Sequence, residues 1–340
     1  MSTKTCCIIL AGGEGKRMKF NRPKVLSPVL FKPMLSWVAD AARQARIDSL
    51  CVVTGYMHEQ LEEYISHMPY PVHTVFQAQR KGTGHAVMMA DAFLRPFAGG
   101  DVLVLNGDAP FIDAETIQAA HELHISESNA VTVISAELED PFGYGRIVRD
   151  SISGMLKSIV EQKDANARVQ AVKEVNSGAY WFDVDALLSV LYDIKNDNAQ
   201  GEYYLPDAVK LILSRGLRAN AYIAASPDTV RGANDCLQLH ELNTLARRRL
   251  LRAHMQNGID IPCTDGVIIG PDVRLEGNTT ILPGTILRGK TTVGSGCVLG
   301  PSTLVDGCTI GDNVVLNAVQ CRGVTIASGE KHGPFCTIEP

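Results

Sequence analysis

No apolar run in this 340-residue sequence approaches bilayer-spanning length, and its beginning carries no secretory apolar region. A cytoplasmic protein with no membrane partner is therefore expected. Positive charge is not in excess, since 32 Lys and Arg face 37 Asp and Glu for a net charge of −5. General nucleic-acid binders are usually basic, so nucleic acid is not an expected partner. The one basic run, Arg247-Arg248-Arg249, lies in a leucine-rich helical stretch with Leu242, Leu245 and Leu250 and reads as a solvated helix face. None of the nine cysteines forms a Cys-x-x-Cys pair. Cys6 and Cys7 fall in an apolar run, which predicts small reduced hydrophobes rather than metal ligands or disulfides. With 45% apolar and 20% charged residues, the chain is long enough for two domains with a sizeable core.

Two common phosphate-binding signatures are also missing. A Walker loop would need Ser or Thr after Gly15-Lys16, where Arg17 stands, and a dinucleotide fingerprint would need a third glycine where Met18 stands. What is present is Leu10-Ala11-Gly12-Gly13-Glu14-Gly15-Lys16-Arg17-Met18, followed by Pro23-Lys24. Its position after the apolar run Cys6–Leu10 marks it as a loop leaving a buried strand. Glycines let the backbone turn sharply and bare its N–H groups, and Arg17 and Lys24 set two cations beside them. Such a loop suits a polyphosphate, although a plain tight turn is the alternative for the glycine spacing alone.

The chain has two organisations. Up to about residue 233, apolar runs such as 50–54, 101–105 and 130–134 alternate with helical patterns at 37–47 and 84–94, which predicts a doubly wound, mostly parallel α/β sheet. Ligands of such sheets bind at the carboxyl ends of the strands, where Asn106-Gly107-Asp108 also falls. A helical linker is expected at 234–258. From 259 to 340 the period becomes six. Cys263, Ile269, Leu275, Ile281, Leu287, Val293, Leu299 and Val305 recur as large inward residues, with small or β-branched ones four places on. A hexapeptide repeat of this kind builds a parallel β-helix.

The loop motif, together with Gln77-Ala78-Gln79-Arg80-Lys81-Gly82-Thr83-Gly84-His85-Ala86, resembles the sugar-1-phosphate nucleotidyltransferases. Within them it is similar to the bacterial N-acetylglucosamine-1-phosphate uridylyltransferases, the amino-terminal half of a bifunctional enzyme. Asn106-Gly107-Asp108, Gly143-Tyr144-Gly145-Arg146, Glu161-Gln162-Lys163-Asp164, Asn176-Ser177-Gly178 and Gln200–Leu205 extend the resemblance along the chain in the same order. It implies a Rossmann-like nucleotidyltransferase domain followed by a left-handed β-helix. It also implies transfer of uridylyl from UTP to N-acetylglucosamine 1-phosphate, with pyrophosphate released, for cell-wall precursor synthesis.

The resemblance assigns roles residue by residue. Leu10, Ala11, Gly12 and Gly13 form the nucleotide loop, and Arg17 and Lys24 act on the triphosphate as catalytic cations. Asp108 and, within Gly232-Ala233-Asn234, Asn234 hold Mg²⁺ or Mn²⁺. A helix-capping role before Pro110 is the alternative for Asp108. Gln77, Gly82 and Thr83 line the base; the Gln77 amide offers both a donor and an acceptor to the N3–H and O4 edge of uracil. His85 reads as a capping or packing residue. Gly145, Glu161 and Asn176 bind the sugar, Asn106 and Gly107 belong to the nucleotide- and sugar-binding set, and Asn106 stands where some relatives have tyrosine. A homotrimer through the β-helix is expected.

Two other readings compete: a glucose-1-phosphate nucleotidyltransferase, and a nucleotide-sensing scaffold without catalysis. The repeat thins after Ile310-Gly311-Asp312, and His332 reads as a turn residue. The acetyltransferase activity of the bifunctional relatives is accordingly not expected.

Overall fold

The computed structural model describes residues 4–198 and 200–340. The chain forms two compact units. One holds the chain up to Ser27 together with Pro33–Cys236, and the other holds Pro28–Lys32 and Leu237–Pro340.

The first unit is built on a nine-stranded sheet of β1 (Thr5–Leu10), β2 (Ser49–Thr54), β3 (His73–Phe76), β4 (Asp101–Asn106), β5 (Val131–Glu137), β6 (Arg146–Arg149), β7 (Leu156–Val160), β8 (Glu174–Asp183) and β9 (Ala219–Ile223). The main path runs β9-β5-β8-β4-β1-β2-β3. The pairs of β1 with β2 and β4, β2 with β3, and β5 with β9 are parallel. β8 enters antiparallel between β4 and β5, which the alternating pattern did not announce.

Buried strands covered on both faces need apolar side chains at every position, and β1 supplies them. Cys6 and Ile8 enter one core cluster, and Cys7 and Ile9 the other, because successive side chains point to opposite faces. The expected helix at 37–47 is Met34–Gln44. The one at 84–94 is interrupted at Ala90, giving Thr83–Met89 and Asp91–Leu94.

The register places the site. Leu10 lies beside Asn106 in the β1–β4 pair, and the Gly107 N–H donates to Leu10 O at 2.9 Å. The glycine loop and Asn106-Gly107-Asp108 therefore leave neighbouring strands at the same carboxyl end. Asn176-Ser177-Gly178 is a β-bulge in β8, where the register with β5 shifts between Asn176 and Ala179. Gly178 there has φ +75°, and a Cβ would run into the Asn106 side chain, so glycine is required on both counts.

The second unit holds the helix Cys236–Gln256 from Leu237 onward and continues as a left-handed parallel β-helix of three sheets with five, four and four strands. Ile269, Leu287, Val305 and Cys321 stack in register on one face, Leu275, Val293, Ile310 and Ile326 on another, and Ile281, Leu299 and Leu316 on the third. The threonines of the repeat are buried at corners, where Thr285 Oγ1 donates to Leu282 O at 2.7 Å and Thr291 Oγ1 to Arg288 O at 2.6 Å. A buried hydroxyl is tolerated because it satisfies a turn carbonyl.

The coils run on past the point where the sequence repeat thins. Leu287 and Val305 are eighteen residues apart, Cys321 follows sixteen later, and strands continue to Cys336–Ile338. The later coils are shorter, so the six-residue period slips while the stacking persists. His332 lies in the strand Lys331–His332, paired with Leu316, rather than in a turn. Within the basic run Arg248 is exposed, but Arg247 is half-buried: its Nε donates to Val267 O at 2.7 Å and its guanidinium also reaches Thr264 O, tying the helix to the first coil.

The nine cysteines are all free, six of them buried, and burial pushes the Cys6, Cys51 and Cys321 thiols up to about 12. Cys6 and Cys7, buried in β1, pack as the small hydrophobes expected, whereas Cys236 is exposed. Among the described residues no helix is long and apolar enough to cross a membrane.

Candidate active site

Two adjoining clefts open at the carboxyl end of the sheet in the first unit. The first, of about 480 Å³, is lined by Leu10, Ala11, Gly12, Gly13, Lys24, Gln77, Gly82, Thr83, Asn106 and Asp108. The second, of about 530 Å³, is lined on its far side by Glu161 and Asn176. Leu10, Thr83, Asn106 and Tyr204 border both. Residues scattered over more than 150 positions are thus gathered by the strand ends.

At the floor of the first cleft, Lys24 Nζ donates to Asn234 Oδ1 at 3.0 Å and pairs with the Asp108 carboxylate. The Lys24 side chain is only 12% exposed and that of Asp108 23%, so the pair is largely shielded from solvent screening. A carboxylate and an amide carbonyl therefore converge on one cation. The helix-capping alternative for Asp108 does not hold: the next helix, Ala114–Ser126, is capped by Asp113, whose Oδ1 accepts from Thr116 N at 2.7 Å. Gly107, with its N–H on Leu10 O, turns the backbone between Asn106 and this carboxylate.

The glycine loop packs closely. A Cβ on Gly55 would come within 2.7 Å of the Gly12 Cα, and one on Gly12 within 3.0 Å of Gln77 Oε1. Gln77 is 4% exposed, and its Nε2 donates to Gly82 O at 3.1 Å and lies 2.9 Å from His85 Nδ1. The expectation that this amide uses both its donor and its acceptor on a base is corrected: its two N–H groups are engaged inside the protein, and the oxygen is what it offers. Gly82, at φ +101°, sits against the Tyr203 carbonyl, which leaves no room for a side chain. Thr83 Oγ1 accepts from Leu205 N at 3.0 Å.

Arg17 is exposed and does not line the cleft. The cations that do, besides Lys24, are Lys16 and Arg80, and both flank Glu14, at 3.7 and 3.1 Å. Arg80 also lies over the Tyr56 ring, 5.4 Å from its centroid. Sequence reasoning passed over Arg80 although it lies in the Gln77–Ala86 string. A cation three residues past the glutamine expected to meet a base was the signal to weigh.

In the second cleft, Glu161 lies beside Gly145, where a Cβ would be 3.1 Å from its Oε1. Burial, then the neighbouring Asp164 and Asp207, push the Glu161 carboxyl up. Asn176 is held firmly. Its N–H donates to Gly145 O at 2.9 Å, its Nδ2 to the Tyr180 hydroxyl at 2.7 Å, and its Oδ1 accepts from Gly178 N at 3.0 Å. Asn106, which borders both clefts, donates from Nδ2 to Ser177 O at 3.4 Å. The arrangement joins a glycine-lined compartment that holds Lys16, Lys24 and Arg80 to one rich in hydrogen-bonding groups, as the joining of a nucleotide to a polyol phosphate requires.

Residues 7–173 match the MobA-like NTP transferase domain. A putative glucose-1-phosphate thymidylyltransferase from Bacillus anthracis has the same fold, with a TM-score of 0.59 and 21% identity over 72% of this chain and 95% of that one. Fold and site together define a nucleotidyltransferase. The chain is 43% identical over 339 residues to the bifunctional protein GlmU of Caldanaerobacter subterraneus subsp. tengcongensis, covering 98% of this chain and 71% of that one. It is 40% identical over the same spans to the bifunctional protein GlmU of Thermoanaerobacter pseudethanolicus. It belongs to the GlmU family.

Proposed function

We propose that this protein transfers the uridylyl group of UTP to N-acetyl-α-D-glucosamine 1-phosphate, releasing pyrophosphate, in the cytoplasm and toward cell-wall precursors. The observation that carries the reading is the convergence of Lys24, Asp108 and Asn234 at the floor of a cleft walled by Gly12 and Gly13. A phosphate oxygen is ionised at neutral pH, so no general base is needed; the work is in-line positioning and charge neutralisation.

Asp108 and Asn234 supply the hard oxygen donors that Mg²⁺, or Mn²⁺, prefers, and their convergence on the Lys24 ammonium supports a cation at this point. When bound, the metal neutralises phosphate charge and orients the triphosphate. Lys24 then faces phosphate oxygens with its own charge. Lys16 and Arg80 hold the outer phosphates, and Arg17, exposed on the same loop, joins them as the motif implies. The Gln77 oxygen takes the N3–H of uracil, with Gly82 and Thr83 along the base. Glu161 accepts from sugar hydroxyls, with Gly145 leaving it room, and Asn176 keeps one amide proton for the acetamido carbonyl. We further propose that the β-helix assembles the protein as a homotrimer. Its stacked parallel coils present broad surfaces, and a repeat array leaves an end that favours association.

The test is pyrophosphate release over a panel of nucleoside triphosphates and sugar 1-phosphates. UTP with N-acetylglucosamine 1-phosphate is expected to give the highest kcat/KM. A preference for glucose 1-phosphate would replace this reading with the competing one.

A further inference from the structure

His85 stands behind the first cleft, its ring against the Gln77 amide that lines it, and the proposed chemistry gives it no task. Gly82 O has only lone pairs, and Gln77 faces it at 3.1 Å, so the amide must turn its nitrogen that way. The same nitrogen lies 2.9 Å from His85 Nδ1, which must therefore be the unprotonated ring nitrogen and accept the second amide proton. Among the described residues no donor is paired with the remaining amide atom, Oε1, which lies against Gly12 at the cleft wall.

We infer that His85 is a specificity-positioning residue: by accepting one Gln77 N–H while Gly82 O accepts the other, it locks the amide with its oxygen toward the nucleotide. The inference rests on the reading of this cleft as the base site. Turning the amide over would set its oxygen against two acceptors and lose both hydrogen bonds, so one orientation is populated. A lone acceptor at this point suits a base whose ring carries an imide N–H, as uracil does. It opposes a lone pair against the ring nitrogen of cytosine. The ring is suited to the task because burial, and then the charge of Lys81, hold its pKa below the usual histidine value and keep it neutral. Tyr203, with its ring centroid 6.1 Å away, packs near the imidazole without contributing charge.

The experiment compares kcat/KM for UTP and CTP in the parent, Gln77→Ala, His85→Leu and His85→Asn proteins. His85→Leu removes the acceptor and is expected to lower the UTP-over-CTP ratio about tenfold, chiefly through KM for UTP. His85→Asn can place an amide oxygen where Nδ1 was and is expected to keep most of the ratio. Nitrogen-15 NMR of the unsubstituted protein gives an answer that does not depend on a variant folding: the His85 proton is expected on Nε2. A proton on Nδ1, or an unchanged ratio in a folded His85→Leu protein whose ratio Gln77→Ala does lower, overturns the role of His85 alone. An unchanged ratio in Gln77→Ala overturns the base-site reading and the inference together.

Discussion

Lys24 Nζ donates to Asn234 Oδ1 at 3.0 Å across 210 positions of sequence, joining the loop after the first strand to the segment that follows the last strand of the sheet. With Asp108 on the same ammonium, three parts of the fold meet at one point. The meeting depends on the sheet, because Asp108 is brought there by the register of β4 against β1.

If this point is the catalytic centre, neutralising the Asp108 carboxylate or removing the Asn234 amide has to slow turnover far more than it weakens substrate binding. Asp108→Asn and Asn234→Ala are expected to lower kcat by about 10²–10³ or more, and chelation of divalent metal to abolish turnover. Initial rates with and without chelator check this. Full activity in chelator, or an Asp108→Ala protein as fast as the parent, would remove the assignment.

Remote from the clefts, Asp101 sits at the opposite end of β4, 2.8 Å from His121 Nε2 and 3.4 Å from His124 Nε2. Burial pushes its carboxyl up, but the hydrogen bonds from the two histidines outweigh it and bring the pKa to about 2. An unfolded aspartate titrates near ~3.9, so the folded value is depressed. Its contribution is complete above pH ~4 and is lost as pH falls toward about 2. Asp101→Asn is expected to cost about 2 kcal/mol at neutral pH and to flatten the stability profile in that window. Urea midpoints at several pH values measure both, and a parent-like profile in the variant would contradict the pairing.

Leu299 is fully buried between Ile281 and Leu316 in one face of the β-helix. Leu299→Ala leaves a cavity that a stack held on both sides cannot readily close. A loss of about 2–5 kcal/mol is expected for the unfolding of the second unit. A midpoint shift under about 0.5 kcal/mol would mean that the coils relax as a mobile array instead.

Assembly is tested by mass in solution. Multi-angle light scattering at micromolar concentration is expected to give three times the chain mass of 36.8 kDa. A monomer mass would count against the trimer without touching the chemistry of the first unit.

The sheet and the coils were legible because both rest on periodicity. The runs at 6–10 and 101–105 are apolar at nearly every position, as strands covered on two faces must be, and the six-residue stack of Ile269 to Val305 repeats a single packing solution. The antiparallel β8 escaped notice, since direction leaves no mark on hydrophobic pattern. The coils beyond Val305 faded for a different reason: shorter turns break a fixed period without breaking the stack. In the clefts, glycine and charge at Gly12, Lys24 and Asp108 were readable as motif. The orientation of the Gln77 amide was not, because it is decided by a backbone carbonyl and an imidazole that sequence order does not bring together. Arg17 and Arg80 show the same limit, since an exposed loop cation and a cleft cation read alike until the loop is folded.

The central claim is that one centre, held by Lys24, Asp108 and Asn234, joins a uridylyl group to a sugar phosphate. Phosphorus-31 NMR of the protein incubated with UTP, N-acetylglucosamine 1-phosphate and Mg²⁺ tests it most directly, because every phosphorus atom is followed at once. The account predicts equal growth of nucleotide-sugar diphosphate and pyrophosphate signals, absent when Asp108→Asn replaces the parent. Conversion of UTP to UDP and inorganic phosphate, or no consumption of the sugar phosphate, would contradict it.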